Sequence, residues 1–288
     1  MKLRNLSMSS LVGLLATLAV LVLLRMPGSI ANAAPTSTVR YVAVTGTDEA
    51  NACSSQATPC RTIQHAIDAA DPGDTIKVAA GTYRDISVRP RNDLTTTGVV
   101  SQVAYITKSI VIRGGYATGD WSSSDPSVNQ TTLDGQHAAR VVYAAGEITV
   151  ALEGLQIVRG SLSQGSNPWW VSDEGAGLYA YTSTTSISNC EIFANSGRHG
   201  AGLWHQGGHL EVVKTAFIEN IASQSGGGIG AVDAEGSVDR CNFRLNEAGS
   251  GGAFWLYRSP IHVLDSTFLS NRADDGGAFY LWSSGARV

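Results

Sequence analysis

The chain has 288 residues, of which 43% are hydrophobic and 15% charged, and it carries 32 glycines. This is too apolar for a disordered protein, and the wealth of glycine and small polar residues argues for an all-β chain with many turns rather than a helical bundle. A formal charge of −4 without any basic run excludes the electrostatic footprint of a nucleic-acid binder.

The first predicted element is a secretory leader over residues 1–33. Lys2 and Arg4 make its start positive, Leu11 to Leu24 form an uncharged apolar run, and Ala31-Asn32-Ala33 has the small-x-small form of a cleavage site. The run is shorter than the roughly 20 residues a membrane span needs. The mature chain is therefore expected to be extracellular, secreted or held at a cell surface, with no membrane span. Losing Lys2, Arg4 and Arg25 takes its charge from −4 to −7 and leaves Lys77, Lys108 and Lys214 as its lysines.

Residues 34–74 are expected to hold an N-terminal strand, a cysteine loop and a capping helix. Cys53 and Cys60 bracket the short loop "CSSQATPC", which an oxidising compartment would bridge with a disulfide. In "TIQHAIDAA", Ile63, Ala66, Ile67 and Ala70 share one helical face before Asp71-Pro72-Gly73 stops it. A short amphipathic helix here suits a cap over the open end of a solenoid.

From residue 75 onward the predicted structure is a parallel β-helix. Strands are expected in "DTIKVAAGTY" and around Ile110–Arg113, Thr131–Leu133, Val141–Ala144 and Ile148–Leu152, followed by an insertion over 161–174. Beyond it "GAGL" begins at Gly175 and Gly200, "GGGI" at Gly226, and "GGAF" at Gly251 and Gly276, in steps of 25, 26, 25 and 25 residues. Asn195, Asn220, Asn246 and Asn271 run in phase, each three residues after Ile192, Phe217, Phe243 or Phe268. Two markers on one period mean a solenoid. The units lack helical periodicity and show short alternating runs broken by Gly, Ser, Asn and Asp, so three short strands and three turns fit each coil. The expected fold is an all-β, right-handed parallel β-helix with coils of about 25 residues.

Each marker has a physical reason. The glycines turn corners where φ is positive. The phenylalanines stack in the interior about 4.8 Å apart, and the asparagines form a structural ladder from coil to coil. Cys190 and Cys241 share a column with Thr215 and Ser266. Two coils put their Cα atoms roughly 9–10 Å apart, beyond disulfide reach, so both are expected free and buried.

After each glycine corner, Leu178, Leu203, Ile229, Phe254 and Phe279 are expected to point inward. Alternation then sends Tyr179, Trp204, Gly230, Trp255 and Tyr280 outward, and two positions on Tyr181, Gln206, Val232, Tyr257 and Trp282. Tyr179, Tyr181, Trp204, Trp255, Tyr257, Tyr280 and Trp282 thus form a predicted aromatic platform for sugar rings, with Trp204, Trp255 and Trp282 as anchors. The competing structural reading is a face packed beneath the insertion with Trp169 and Trp170.

The "GGA-apolar" and "F-x-x-N" phrases resemble the repeats of the chlamydial polymorphic outer-membrane proteins. The frame "CRTIQHAIDAADPGDTIKVAAGTY", with "ITKSIVIRGGY" and "TTLDGQ", resembles secreted bacterial right-handed β-helix proteins of the pectin-lyase-like superfamily. The resemblance spans about residues 41–288. It implies either a polysaccharide lyase or hydrolase, or a surface adhesin without chemistry, since one fold hosts both. A lyase of that superfamily uses stacked acids to hold Ca²⁺ with an Arg or Lys base; a hydrolase uses paired carboxylates near a His. Here Asp173 and Glu174, Asp233 and Glu235, and Asp274 and Asp275 are scattered, and Arg159, Arg198, Arg244 and Arg258 read as solvated turn residues. "RHG" at Arg198–Gly200 and Asp274-Asp275 stand in the reverse of the hydrolase order, about three coils apart. His199, Ser225, Ser250 and Asp275 share one column.

The sequence therefore points to a secreted or cell-surface interaction module, adhesin-like, whose partner is an extracellular polysaccharide or surface glycan. No catalytic residue, cofactor or metal is expected; the alternative is a polysaccharide lyase or glycoside hydrolase. The last unit stops at "GGAFYLWSSGARV", before its Phe-x-x-Asn step, so further coils or a covering partner are expected beyond it.

Overall fold

The computed structural model describes residues 37–93, 98–162 and 173–288. The expected leader, Trp169, Trp170 and most of the insertion lie outside the described residues. Among the described residues no helix is long and apolar enough to cross a membrane.

The chain winds into a parallel β-helix. The first sheet has eight strands, from Val39–Val42 through Thr75–Ala79, Ile110–Tyr116, Thr149–Glu153, Thr184–Ser188, His209–Val213 and Glu235–Asp239 to Ile261–Leu264. The second has seven: Gly81–Tyr83, Thr131–Asp134, Gln156–Val158, Glu191–Phe193, Ala216–Ile218, Asn242–Arg244 and Thr267–Leu269. The third has eight: Ser87–Pro90, Val99–Ile106, Arg140–Ala145, Leu178–Tyr181, Leu203–Gln206, Ile229–Val232, Phe254–Tyr257 and Phe279–Trp282. Every pairing in these sheets is parallel except that of Ser87–Pro90, which folds back antiparallel onto Val99–Ile106. No alternation or turn motif marks this hairpin in the sequence.

The coils differ from the three-strand expectation in one respect. Ser196–His199, Ile221–Ser225, Glu247–Ser250 and Arg272–Asp275 form a fourth parallel sheet of four strands. It occupies the stretch between each ladder asparagine and the next glycine corner. Its small and polar residues do not alternate, so periodicity gave no sign of it.

Register explains the repeat. Ile192, Phe217, Phe243 and Phe268 pair directly in the second sheet, and the rings of Phe217, Phe243 and Phe268 stack 4.8 and 5.1 Å apart within 7° of parallel. Phe217 and Phe243 are fully buried, each removing apolar area worth about 2–3 kcal/mol, and Phe268 is half-buried at the end of the stack. At the corner, Gly251 has φ +65, and a Cβ there would lie 2.0 Å from the carbonyl oxygen of Phe254. Only glycine fits so tight a return of the chain.

The asparagines carry the opposite corner. Nδ2 of Asn195, Asn220 and Asn246 donates to Oδ1 of the next asparagine at 3.0, 3.0 and 2.9 Å. Each Nδ2 also donates to a carbonyl: Ile157, Ile192, Phe217 and, for Asn271, Phe243. At the top the ladder ends on the backbone N–H of Gly160, 2.7 Å from Asn195 Oδ1.

The helix spans Ile63–Ala69, with Thr62 as N-cap accepting from the His65 N–H. Ile63, Ala66 and Ile67 are buried beneath it. Gln64 reaches the strand Val99–Ile106 where the hairpin leaves it: Tyr105 N donates to Oε1 at 2.7 Å and Nε2 donates to Tyr105 O at 3.3 Å. A side-chain amide thus closes an otherwise open strand edge. Cys53 and Cys60 are joined by a disulfide.

Cys190 and Cys241 are free and buried. Each thiol sits against carbonyls, Ser188 O at 3.3 Å and Asp239 O at 3.3 Å. Burial pushes the Cys190 thiol up to about 12 and the Cys241 thiol up to about 11, so both are protonated and inert at neutral pH. A thiol reagent should find none in the native protein and two after denaturation without reductant; a native protein that reacts at once, or a denatured one with no thiol, would contradict this pairing.

Candidate functional site

The outer face of the third sheet carries the predicted platform. Its columns stand in register: Tyr143, Tyr179, Trp204, Gly230, Trp255 and Tyr280 in one, and Tyr181, Gln206, Val232, Tyr257 and Trp282 in the other. Tyr105 pairs with Tyr143 and lengthens the first column. Neither Tyr105 nor Tyr143 was singled out in the sequence, because the upstream coils carry insertions that hide the period.

Two platform residues are not exposed. Tyr179 is 2% and Trp204 6% accessible, which corrects the expectation that both lie open. For Tyr179 the cause is the arm that follows Ser87–Pro90. Tyr105 Oη donates to Pro90 O at 2.7 Å, Asn92 N donates to Tyr143 Oη at 2.9 Å, and Tyr179 bonds the Asp93 carboxylate. Burial would raise the Asp93 pKa, but the bidentate Arg91 pair and the Tyr179 hydroxyl outweigh it and hold it below the usual range. Tyr105, Tyr143 and Tyr179 stack at 5.1 and 5.4 Å, with the buried Arg140 guanidinium 5.0 Å from the Tyr179 ring. This half of the face is a covered aromatic–cation core.

Trp204 is buried for a local reason. Its ring fills the space beside Gly230, where a Cβ would lie 2.6 Å from Trp204 Cε3, and stacks on Trp255 at 5.9 Å. Trp204 is therefore packing rather than an anchor.

The other half is open. Trp255, Tyr257 and Tyr280 are half-buried, and Trp282 is 58% exposed. Trp255 lies 6.2 Å from Tyr257, and Trp282 meets Tyr257 edge-on at 5.4 Å. Tyr181 is half-buried but sits three coils away from Tyr257 in its column. Arg258 Cζ stacks 4.6 Å from the Tyr257 ring, and its guanidinium grips Asp233 through Nε and Nη2 at 2.7 and 2.6 Å. Past Arg258 the corner between the third and first sheets opens into a cleft of about 510 Å³, with Thr184, His209, Asp233 and Glu235 on its walls. His209 Nδ1 lies 3.7 Å from Glu235 Oε1. An aromatic floor beside a cleft of charged hydrogen-bonding groups suits a ring that is apolar on its face and hydroxylated at its edge.

Glu174, His199, Ser225, Ser250 and Asp275 form a column, and His199 Nδ1 lies 2.7 Å from Ser225 Oγ. With the Gln224 amide turned so that its oxygen accepts from Arg198 Nε and Nη2 at 3.0 and 2.9 Å, its nitrogen lies 3.3 Å from His199 Nε2. In that arrangement Nδ1 donates to the serine and leaves its hydroxyl unactivated. Asp233 is held by the bidentate Arg258 guanidinium. Cys53, Cys60 and His65 bring their ligand atoms within 4.8 Å of one another, but both sulfurs are spent in the disulfide.

Residues 44–230 match the family described as "Protein of unknown function (DUF1565)", well over half of the chain. The match ends at Gly230, short of Trp255, Tyr257, Tyr280 and Trp282. No curated protein and no solved structure shows significant similarity to the chain.

Proposed function

Because the chain belongs to the DUF1565 family, whose description assigns no activity, we propose a function from its surface: a secreted or cell-surface β-helix module that binds glycans through Trp255, Tyr257, Tyr280 and Trp282. One observation carries this reading. Four aromatic side chains lie together on one sheet face where the arm stops covering the column, three half-buried and Trp282 exposed, and they border a polar cleft that shares Arg258 with them. A protein surface rarely exposes clustered aromatics without a partner. The secretory leader and the resemblance to secreted pectin-lyase-like β-helices and chlamydial surface-protein repeats support an extracellular glycan as that partner. Cleavage of the polymer is the alternative, and no constellation among the described residues near the platform supports it.

The test is a glycan array joined to a lyase assay on uronic-acid polymers. Trp255→Ala and Trp282→Ala should each weaken the glycan found by about tenfold, roughly the loss of one stacking anchor. The melting temperature should change little for Trp282→Ala, whereas Trp204→Ala should unfold the protein earlier and say nothing about binding. If both variants bind as the parent does, the platform is not the site; product release from a polymer would make the chain an enzyme.

A further inference from the structure

A second site lies on another face of the solenoid. The outer column of the second sheet runs Thr132, Gln156, Glu191, Ala216, Asn242 and Thr267. Its upper members form a hydrogen-bonded chain: Thr132 Oγ1 donates to Gln156 Oε1 at 2.7 Å, and Gln156 Nε2 to Glu191 Oε2 at 3.0 Å. At Ala216 the polar column breaks and leaves a gap. Above the gap hangs the loop before Thr131, seated by Pro126: a Cβ at Gly154 would lie 2.5 Å from Pro126 Cγ, and one at Gly115 2.8 Å from Pro126 N. Asp125 N donates to Gly115 O at 2.8 Å, and Ser124 Oγ to Gly114 O at 2.8 Å. Two glycines and these bonds fix the overhang in place.

Loop and gap together enclose a notch of about 480 Å³, within the range of small-ligand sites. Asp125 enters from the loop, Glu191 from the sheet, and Lys214 and Asn189 from the corner between the first and second sheets. Asp125 is bonded by Ser127 Oγ and N at 2.6 and 3.0 Å, which lowers its pKa and keeps it ionised. Lys214 makes no ion pair among the described residues. Past Pro126 a smaller recess of about 320 Å³ continues, but its Arg113 and Glu153 close on each other.

We propose that this notch binds a sugar unit carrying a free amino group. Two carboxylates against one ammonium leave the walls net negative, so the ligand's charged group is a cation. Asp125 and Glu191 both retain acceptor capacity for an ammonium's three donors. The amides of Gln156 and Asn189, each donor and acceptor, suit the hydroxyls of the same ring, and Lys214 donates to a hydroxyl or ring oxygen. The site does not involve the aromatic platform and stands without it.

The experiment is calorimetric titration of the full chain with a β-1,4-linked glucosamine tetramer, its N-acetylated counterpart and a neutral glucose tetramer, in a buffer that protonates the amines. The glucosamine tetramer should bind at least about tenfold tighter than the other two, the margin expected of a charge-assisted hydrogen bond. Glu191→Gln should cut its affinity by about tenfold, and Ala216→Gln, which extends the side-chain ladder into the gap, should abolish binding. Thr267→Ala, exposed lower in the same column and outside the notch, should leave it unchanged. The proposal is overturned if no tetramer binds, if the three bind alike, if either notch variant binds as the parent does, or if Thr267→Ala removes the binding.

Discussion

Asn220→Ala is expected to destabilise the protein by about 4 kcal/mol, more than an ordinary substitution at a buried polar residue. Asn220 is fully buried. Its Nδ2 serves Asn246 Oδ1 at 3.0 Å and Ile192 O at 2.9 Å, while its Oδ1 receives Asn195 N at 3.2 Å and Asn195 Nδ2 at 3.0 Å. Truncation orphans the Asn195 backbone N–H, which costs about 1–3 kcal/mol when no water replaces the partner, and strips a hydrogen bond from each of the Asn195 and Asn246 amides and the Ile192 carbonyl. The ladder also holds a strained corner. Glu219, just before it, has φ +54, as do Ala194 at +54, Leu245 at +57 and Ser270 at +55 before their own asparagines. A non-glycine residue in this left-handed region costs about 1 kcal/mol and persists only where its surroundings fix it. Asn271→Ala, at the half-buried lower rung, should cost about 1 kcal/mol by the same reasoning. Urea unfolding reads both: the midpoint should fall sharply for Asn220→Ala with the slope unchanged. A loss below about 1 kcal/mol at Asn220 would mean that the ladder follows the fold without supporting it.

The same ladder shows why much of the fold was legible. In a solenoid each coil repeats the environment of its neighbour, so a structural column becomes a sequence period. Asn195 to Asn271, the phenylalanine stack and the column of Cys190, Thr215, Cys241 and Ser266 could all be placed from spacing. Even the last proves to be a ladder, with Cys190 N donating to Thr215 Oγ1 at 3.4 Å and Cys241 N to Ser266 Oγ at 3.0 Å. The candidate site was harder to read. Alternation tells which side of a sheet Tyr179 takes, but not that Asn92 and Asp93 fold over that side from a hairpin far away in sequence. Nor does alternation reveal that Trp204 leans into the space left by Gly230. The cleft beside Arg258 rests on a contact with Asp233 one coil earlier, where the pattern shows only two charged turn residues.

His205→Leu is expected to flatten the acid limb of the stability curve. His205 is fully buried in the third sheet, and neither ring nitrogen has a hydrogen-bond partner among the described residues. Burial, with a small repulsion from His209, pushes its pKa down from 6.5 to about 4. The folded protein therefore keeps this imidazole neutral while the unfolded chain protonates it. Stability is full above the unfolded value of 6.5 and is lost as pH falls toward about 4. The gap between the two values is worth about 3 kcal/mol at the acid end. His199, also lowered to about 4 by burial and then by Arg198, adds a second contribution of the same sign, so acid weakens the protein through both rings. The column of His205 reads Ala180, His205, Ala231, Leu256 and Leu281, and leucine is already accepted two coils below. At neutral pH the leucine removes two unsatisfied buried nitrogens and should stabilise by about 1–2 kcal/mol. Below about pH 6 the parent should weaken steeply while His205→Leu retains only the shallower slope set by His199. Urea midpoints measured at intervals between about pH 4.5 and 7.5 separate the two. A variant whose curve runs parallel to the parent's would mean that His205 is already protonated or reached by water, and that the acid response arises elsewhere.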